Sequence, residues 1–111
     1  MSQYSIPVVG VGEVRNFSVS FAELLDSGET VAEITSLTEV GTSDLTLSHI
    51  RINTTSVPVG GIMHAPGQVL HFRVSGMKEG LYKLRCVFQT SSTPAQTLVR
   101  KIQFRAVTTW P

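Results

Sequence analysis

The sequence predicts an all-β fold, a small antiparallel β-sandwich of about seven strands, and three observations carry that prediction. GQVLHFRVSG, GLYKLRCVFQT and AQTLVRKIQFRAV read as three consecutive strands in which alternate positions are apolar. Turn signals recur roughly every 8–15 residues along the rest of the chain. No stretch sustains the 3.6-residue period of an amphipathic helix.

Each element has its own justification. SIPVV is the first strand candidate, closed by the flexible turn Gly10-Val11-Gly12. In VRNFSVSF, Phe17, Val19 and Phe21 alternate with Ser18 and Ser20, the mark of a half-buried strand. AELLDSGET has the length of one helical turn, but Asp26-Ser27-Gly28 is the stronger signal and makes it a loop, with Gly28 free to take a positive φ. TVAEITSL is the next strand and VGTSD the next turn. LTLSHIRIN changes parity around His49, which predicts a short turn or a β-bulge there. SVPVGGIMHAPG, with its prolines and glycines, reads as a loop or an irregular edge strand, because proline donates nothing to a central ladder. The three strands of the opening observation follow, joined by GMKEG and SSTPA. This spacing of short strands suits an immunoglobulin-like sandwich, with a small barrel as the other option.

At 111 residues the chain is read as one domain, with a short N-terminal arm over 1–12 and a C-terminal tail over 108–111. A chain of this length buries roughly 65% of its unfolded surface, enough for one modest core. With 15% charged residues the surface is sparsely charged, which suggests that part of it is shared with neighbouring subunits. The single Cys86 rules out an internal disulfide, so the chain folds in a reducing compartment or draws robustness from assembly. MSQYSIPVVG lacks a basic start and a long apolar run, and no stretch approaches the roughly 20 apolar residues of a membrane helix. The expectation is a soluble protein made in the cytoplasm, with no membrane partner.

The net charge of +1 conceals a division. Residues 1–50 hold seven acids (Glu13, Glu23, Asp26, Glu29, Glu33, Glu39, Asp44) against Arg15, a balance of −6. Residues 51–111 hold eight bases (Arg51, Arg73, Lys78, Lys83, Arg85, Arg100, Lys101, Arg105) against Glu79, a balance of +7. If the division survives folding, it favours stacking one subunit's acidic side on another's basic side.

Candidate chemistry is sparse. His49, His64 and His71 stand at no metal-binding spacing and no Cys-x-x-Cys is present, so neither a metal nor another cofactor is expected. His71 falls on the outward face beside Arg73 and reads as an ordinary strand histidine. Cys86 shares an apolar face with Tyr82, Leu84 and Phe88 and reads as a buried small side chain. Gly10-Val11-Gly12 has Arg15 where a phosphate-binding loop requires its third glycine. No pair of acids is placed to face a cleft. The expectation is therefore no catalytic residue and no enzyme.

One constellation remains: Arg73, Lys83, Arg85, Lys101 and Arg105 all sit at outward parity on consecutive strands, as one continuous basic patch. It is a solvated sheet face or a subunit interface against an acidic partner. Nucleic acid is a weaker partner, since no aromatic residues interleave with the bases and the total charge is near neutral. The termini are apolar and aromatic, with Tyr4, Ile6, Val8 and Val9 at one end and Trp110 and Pro111 at the other, and are candidates to pack on the domain or reach into a neighbour.

FSVSFAELLDSGETVAEITSL together with LHFRVSGMKEGLYKLRCVFQTSSTPAQTLVRKIQFRAV resembles small immunoglobulin-like virion proteins of tailed bacteriophages, of the fiber-tail adaptor and neck type. The matching positions are Phe21, Leu25, Gly28, Glu29, Thr30 and Val31, then Val74, Ser75, Gly76, Gly80, Tyr82, Arg100 and Phe104. The family's Ser-Gly-Gly is here Ser75-Gly76-Met77, and the proline-rich segment is longer. The resemblance implies a many-copy, homo-oligomeric component of a virion at the head-tail neck, linking tail or fibers to the portal side through edge strands and termini. Capsid decoration is the alternative within that class, and a carbohydrate- or ligand-binding sandwich module the alternative outside it.

Overall fold

The computed structural model describes residues 7–108. In chain order its strands are β1 (Val8–Gly10), β2 (Arg15–Ser20), β3 (Val31–Val40), β4 (Thr46–Ile52), β5 (Val57–Val59), β6 (Ile62–His64), β7 (Val69–Ser75), β8 (Gly80–Thr90) and β9 (Thr97–Val107). Four strands form one sheet in the order β1-β9-β8-β3, three form another in the order β2-β7-β4, and β5 and β6 pair as a separate hairpin. The chain changes sheet between β1 and β2, between β2 and β3, between β3 and β4, and again between β7 and β8. That connectivity gives the two-layer order of an immunoglobulin-type sandwich.

The observed fold is thus the expected all-β sandwich, with seven strands in its layers and two more in the hairpin. It departs from a wholly antiparallel arrangement at one place. β1 lies parallel to β9, with Val8 opposite Arg105 and Gly10 opposite Val107. No hairpin turn ties β1 to β9, so nothing forces the antiparallel direction on it. The strand Val8–Gly10 overlaps the first strand candidate, SIPVV, within the segment read as an N-terminal arm.

Alternation explains the core. β8 sends Tyr82, Leu84, Cys86 and Phe88 inward, and β9 sends Ile102, Phe104 and Ala106. β7 answers from the other layer with Leu70, Phe72 and Val74. Aromatic rings stitch the layers together: Phe17 of β2 lies 5.0 Å from Phe104, and Phe21 stacks on Phe88 at 4.5 Å. Fully burying each such side chain contributes about 1.5–3 kcal/mol.

Local chemistry fixes the connections. At the lower end, Tyr82 Oη accepts the Lys78 N–H at 2.8 Å and donates to Asp44 Oδ2 at 2.9 Å. A tyrosine at the start of this strand, bonded back to upstream backbone, is the corner motif of immunoglobulin-like folds. Burial pushes the Glu39 carboxyl up, but hydrogen bonds from Thr42 and from the Leu45 and Asp44 N–H groups outweigh it and hold the carboxyl below its usual range. At the upper end, Glu29 Oε1 accepts the Asp26 N–H and Glu29 Oε2 accepts Gln96 Nε2, each at 3.0 Å.

Two sequence readings meet their outcome in β4 and the segment after it. The register of β4 on β7 shifts between Ser48 and Arg51, and His49 has φ 55, so the parity change at His49 is a bulge. SVPVGGIMHAPG is more regular than a loop. Gly60 (φ 59) and Gly61 (φ 82) turn β5 onto β6, the positive angles that a two-residue hairpin turn needs. Asn53, nearly buried, fastens this segment: its Nδ2 donates to the Thr55 and Ala65 carbonyls and its Oδ1 accepts the Gln68 and Val69 N–H groups.

Candidate interaction surface

The outer face of the four-stranded sheet carries most of the basic row. Outward positions of β8 and β9 pair as Leu81 with Arg105, Lys83 with Gln103, Arg85 with Lys101 and Val87 with Val99. β3 extends these rows, placing Val40 beside Lys83, Thr38 beside Arg85 and Ser36 beside Val87. β1 adds Val8 beside Arg105. Lys83, Arg85, Lys101 and Arg105 therefore share one surface.

Arg73 does not belong to it. It lies on β7, in the three-stranded sheet, with Asn16 on one side and Ser48 on the other. Parity told outward from inward but not which layer a strand joins. The chain crosses between layers from Ser75 to Gly80, where Gly76 takes φ 82 and Met77 is buried. The five-residue patch expected from the sequence is thus four residues on one sheet and one on the other. Tyr4 and Trp110, the terminal candidates, lie outside the described residues.

Two features set the four-cation face apart from an ordinary solvated wall. Arg85 and Lys101 stand directly opposite each other, and like charges in that relation destabilise a sheet by about 0.2–1 kcal/mol. Among the described residues the ion pairs are Arg15 with Glu13 and Lys78 with Asp44, both away from this face, so its four cations have no carboxylate within 4.0 Å. The second feature is apolar. Val8 (59% exposed), Val40 (47%), Leu81 (37%) and Val99 (44%) all point out of the same surface, interleaved with the cations. Between them lies a shallow depression of about 290 Å³ lined by Val40, Lys83, Arg85, Lys101 and Gln103.

Folding converts the charge division along the chain into another one. Of the eight acids, Glu33 faces outward on β3, while Glu13, Glu23, Asp26, Glu29, Glu39, Asp44 and Glu79 lie in, or brace, the loops at the two ends. Of the nine bases, Arg51, Arg73, Lys83, Arg85, Arg100, Lys101 and Arg105 lie within strands, Arg15 is the first residue of β2, and Lys78 lies in a loop. Arg15 and Lys78, near the ends, are the two held in ion pairs. The molecule has acidic ends and basic sides.

Cys86 is fully buried, and desolvation pushes its thiol up to about 11, so it is a packing side chain without thiolate character at neutral pH. Among the described residues no three His, Cys, Asp or Glu side chains gather as a metal ion would need. No helix there is long and apolar enough to cross a membrane.

Fold and surface together define an immunoglobulin-like β-sandwich with a mixed cationic and aliphatic outer face. Comparison with family models, curated proteins and solved structures finds no match for this chain.

Proposed function

We propose that this protein is a non-enzymatic structural subunit, a multi-copy adaptor of a tailed-bacteriophage virion at the head-tail neck, working through protein–protein contacts. The virion setting rests on the sequence resemblance carried by Phe21, Leu25, Gly28, Glu29, Thr30, Val31 and Tyr82. One observation carries the docking reading: four cations without a carboxylate partner among the described residues and four exposed aliphatic side chains share the outer face of the four-stranded sheet. An acidic surface laid on that face relieves the Arg85–Lys101 repulsion while covering the valines and the leucine. The acidic loops at the ends of a second copy have the required sign, so the same chain supplies both halves of the contact in a ring or stack.

The test is solution mass by analytical ultracentrifugation at micromolar protein across a salt series. The expected result is an oligomer that dissociates as the screening length falls from about 10 Å at 0.1 M salt to about 3 Å at 1 M. Arg85→Glu with Lys101→Glu abolishes the oligomer and leaves the circular dichroism unchanged. Persistence of the oligomer in that double variant, or a monomer at every salt, overturns the docking face.

A further inference from the structure

The three-stranded sheet has an outer face of its own that the docking reading does not use. Two rows of side chains cross it. Asn16, Arg73 and Ser48 lie side by side in one, and Ser18, His71 and Arg51 in the next. Strands about 4.8 Å apart and a two-residue step of roughly 7 Å put the six Cα atoms on a grid about 10 Å by 7 Å. The grid floors a cavity of about 280 Å³ lined by Asn16, Ser18, His49, Arg51, His71 and Arg73 together with Phe17 and Phe72. No acid is in that lining.

We propose that this cavity is a binding site for a phosphate group, either inorganic phosphate or a phosphate monoester, held between Arg51 and Arg73 over His71.

Three structural points support it. First, the bulge builds the site: His49 takes φ 55 and the register shift between Ser48 and Arg51 brings Arg51 opposite His71. A left-handed non-glycine residue in a bulge recurs where a sheet re-aims side chains for a ligand. Second, the polar groups are already oriented. Asn16 Oδ1 accepts Arg73 Nε at 2.9 Å, which fixes that guanidinium and leaves its two terminal nitrogens uncommitted to Asn16. Ser18 Oγ lies 2.8 Å from His71 Nδ1, and when the serine donates, Nε2 carries the proton and is a donor even in the neutral ring. Third, the charge matches a dianion. With both histidines neutral the lining carries +2, which a phosphate balances and a single carboxylate does not. Guanidinium groups also present paired N–H donors suited to phosphate oxygens.

The state of His71 agrees. Partial burial, with the Arg51 charge beside it, pulls its pKa below the usual value. Arg51 and His49 face it from β4, Arg73 flanks it on β7, and β2 contributes the uncharged Asn16 and Ser18. A bound anion offsets the Arg51 charge and so raises the His71 pKa.

The experiment titrates inorganic phosphate, phenyl phosphate, acetate and a short single-stranded oligonucleotide into the intact protein, following the histidine ring signals by NMR. The expected result is saturable binding of phosphate or phenyl phosphate that raises the His71 pKa, with acetate much weaker. Tighter phenyl phosphate assigns the site to a monoester, and tighter inorganic phosphate to the free ion. Arg51→Gln weakens binding about tenfold or more, the worth of one charge-assisted hydrogen bond, and Arg51→Lys restores part of it. Lys101→Gln, on the opposite sheet, has no effect. No saturable shift of His71, an equal loss in Lys101→Gln, or binding of the oligonucleotide alone overturns the proposal. Because Lys101 and Arg85 serve the docking face and Arg51 does not, failure here leaves the association test untouched.

Discussion

Asn53 is the side chain on which the β4–β7 connection depends, and its removal makes a stringent test of how the upper end is held. The residue is 6% exposed and uses all of its side-chain hydrogen-bonding groups: Nδ2 to Thr55 O at 2.8 Å and Ala65 O at 2.9 Å, Oδ1 from Gln68 N at 3.0 Å and Val69 N at 2.9 Å. Asn53→Ala orphans all four backbone groups at once. The Val69 N–H is fully buried, and leaving it unpaired costs about 1–3 kcal/mol. The other three are partly covered, so water recovers some of each loss and they cost about 0.5–1 kcal/mol apiece. The total is about 2.5–6 kcal/mol, a large share of the roughly 5–15 kcal/mol that holds a domain together. Urea unfolding followed by far-ultraviolet circular dichroism reads this directly. With a slope of about 1.5 kcal/mol per molar urea, the midpoint falls by about 2–4 M. Asn16→Ala is the control: it loses one exposed bond to Arg73 and shifts stability by no more than about 0.5 kcal/mol. A loss below about 1 kcal/mol at Asn53, or an equal loss at Asn16, would refute the reasoning.

Two other outcomes follow from titration and burial. Glu29 is held at about 2 by the Asp26 N–H first, helped by Ser92, Thr90 and Gln96 against the opposing cost of burial. A depressed carboxyl stabilises the fold above its unfolded value near 4.5 and loses that contribution as pH falls toward 2. Urea midpoints should therefore drop between pH 5 and pH 2.5, and Glu29→Gln should flatten that drop; an unchanged pH profile in the variant counts against the role given to Glu29. Cys86, with its thiol at about 11 and no exposed surface, should resist a water-soluble disulfide reagent at pH 8 in the folded protein and react at once in denaturant. Fast labelling of the native state would contradict its burial.

The sequence was readable wherever one physical rule decided the outcome. Strict alternation in YKLRCVF and KIQFRA placed Tyr82, Leu84, Cys86, Phe88, Ile102 and Phe104 inside, because a strand with one buried face has no other solution. The parity change at His49 located the bulge for the same reason. The hairpin β5–β6 is harder to read: Gly60-Gly61 between VPV and IMH is a strong hairpin signal, but Pro58 and Pro66 suggest a loop or an irregular edge strand instead. Arg73 parts from the other four cations because alternation fixes a face and leaves the choice of layer to the crossing at Gly76. The phosphate cavity was hidden more deeply. Asn16, Ser18, Arg51 and His71 come from three strands up to 55 positions apart, and their meeting depends on register set by a bulge.

Register also bears on where a neighbour can attach. The sequence pointed to strand edges and termini as the joining parts, since an exposed edge is a template for pairing. Of the four described borders of the two layered sheets, β2 is regular, pairing with β7 in unbroken register from Arg15 to Ser20, and the other three are poorly suited to that use. β3 has register shifts between Val31 and Glu33 and again between Ile34 and Ser36, and β4 has its own at His49. Each irregularity twists the edge and breaks the row of donors and acceptors that an added strand would need. At the opposite border β1 already occupies β9 at Arg105–Val107. Farther up β9, Arg100 shares the inward parity of Ile102 and Phe104, its Nε buried without a hydrogen-bond partner among the described residues. An inward-pointing charge on a border strand is a known deterrent to strand addition. With three of its four borders interrupted in these ways, the sandwich leaves β2 and its two outer faces as the surfaces open to contact. The face bearing Val8, Val40, Leu81 and Val99 among four cations without a carboxylate partner in the described residues combines exposed apolar surface with uncompensated charge, which is why association should respond to Arg85→Glu with Lys101→Glu and be indifferent to changes along β4.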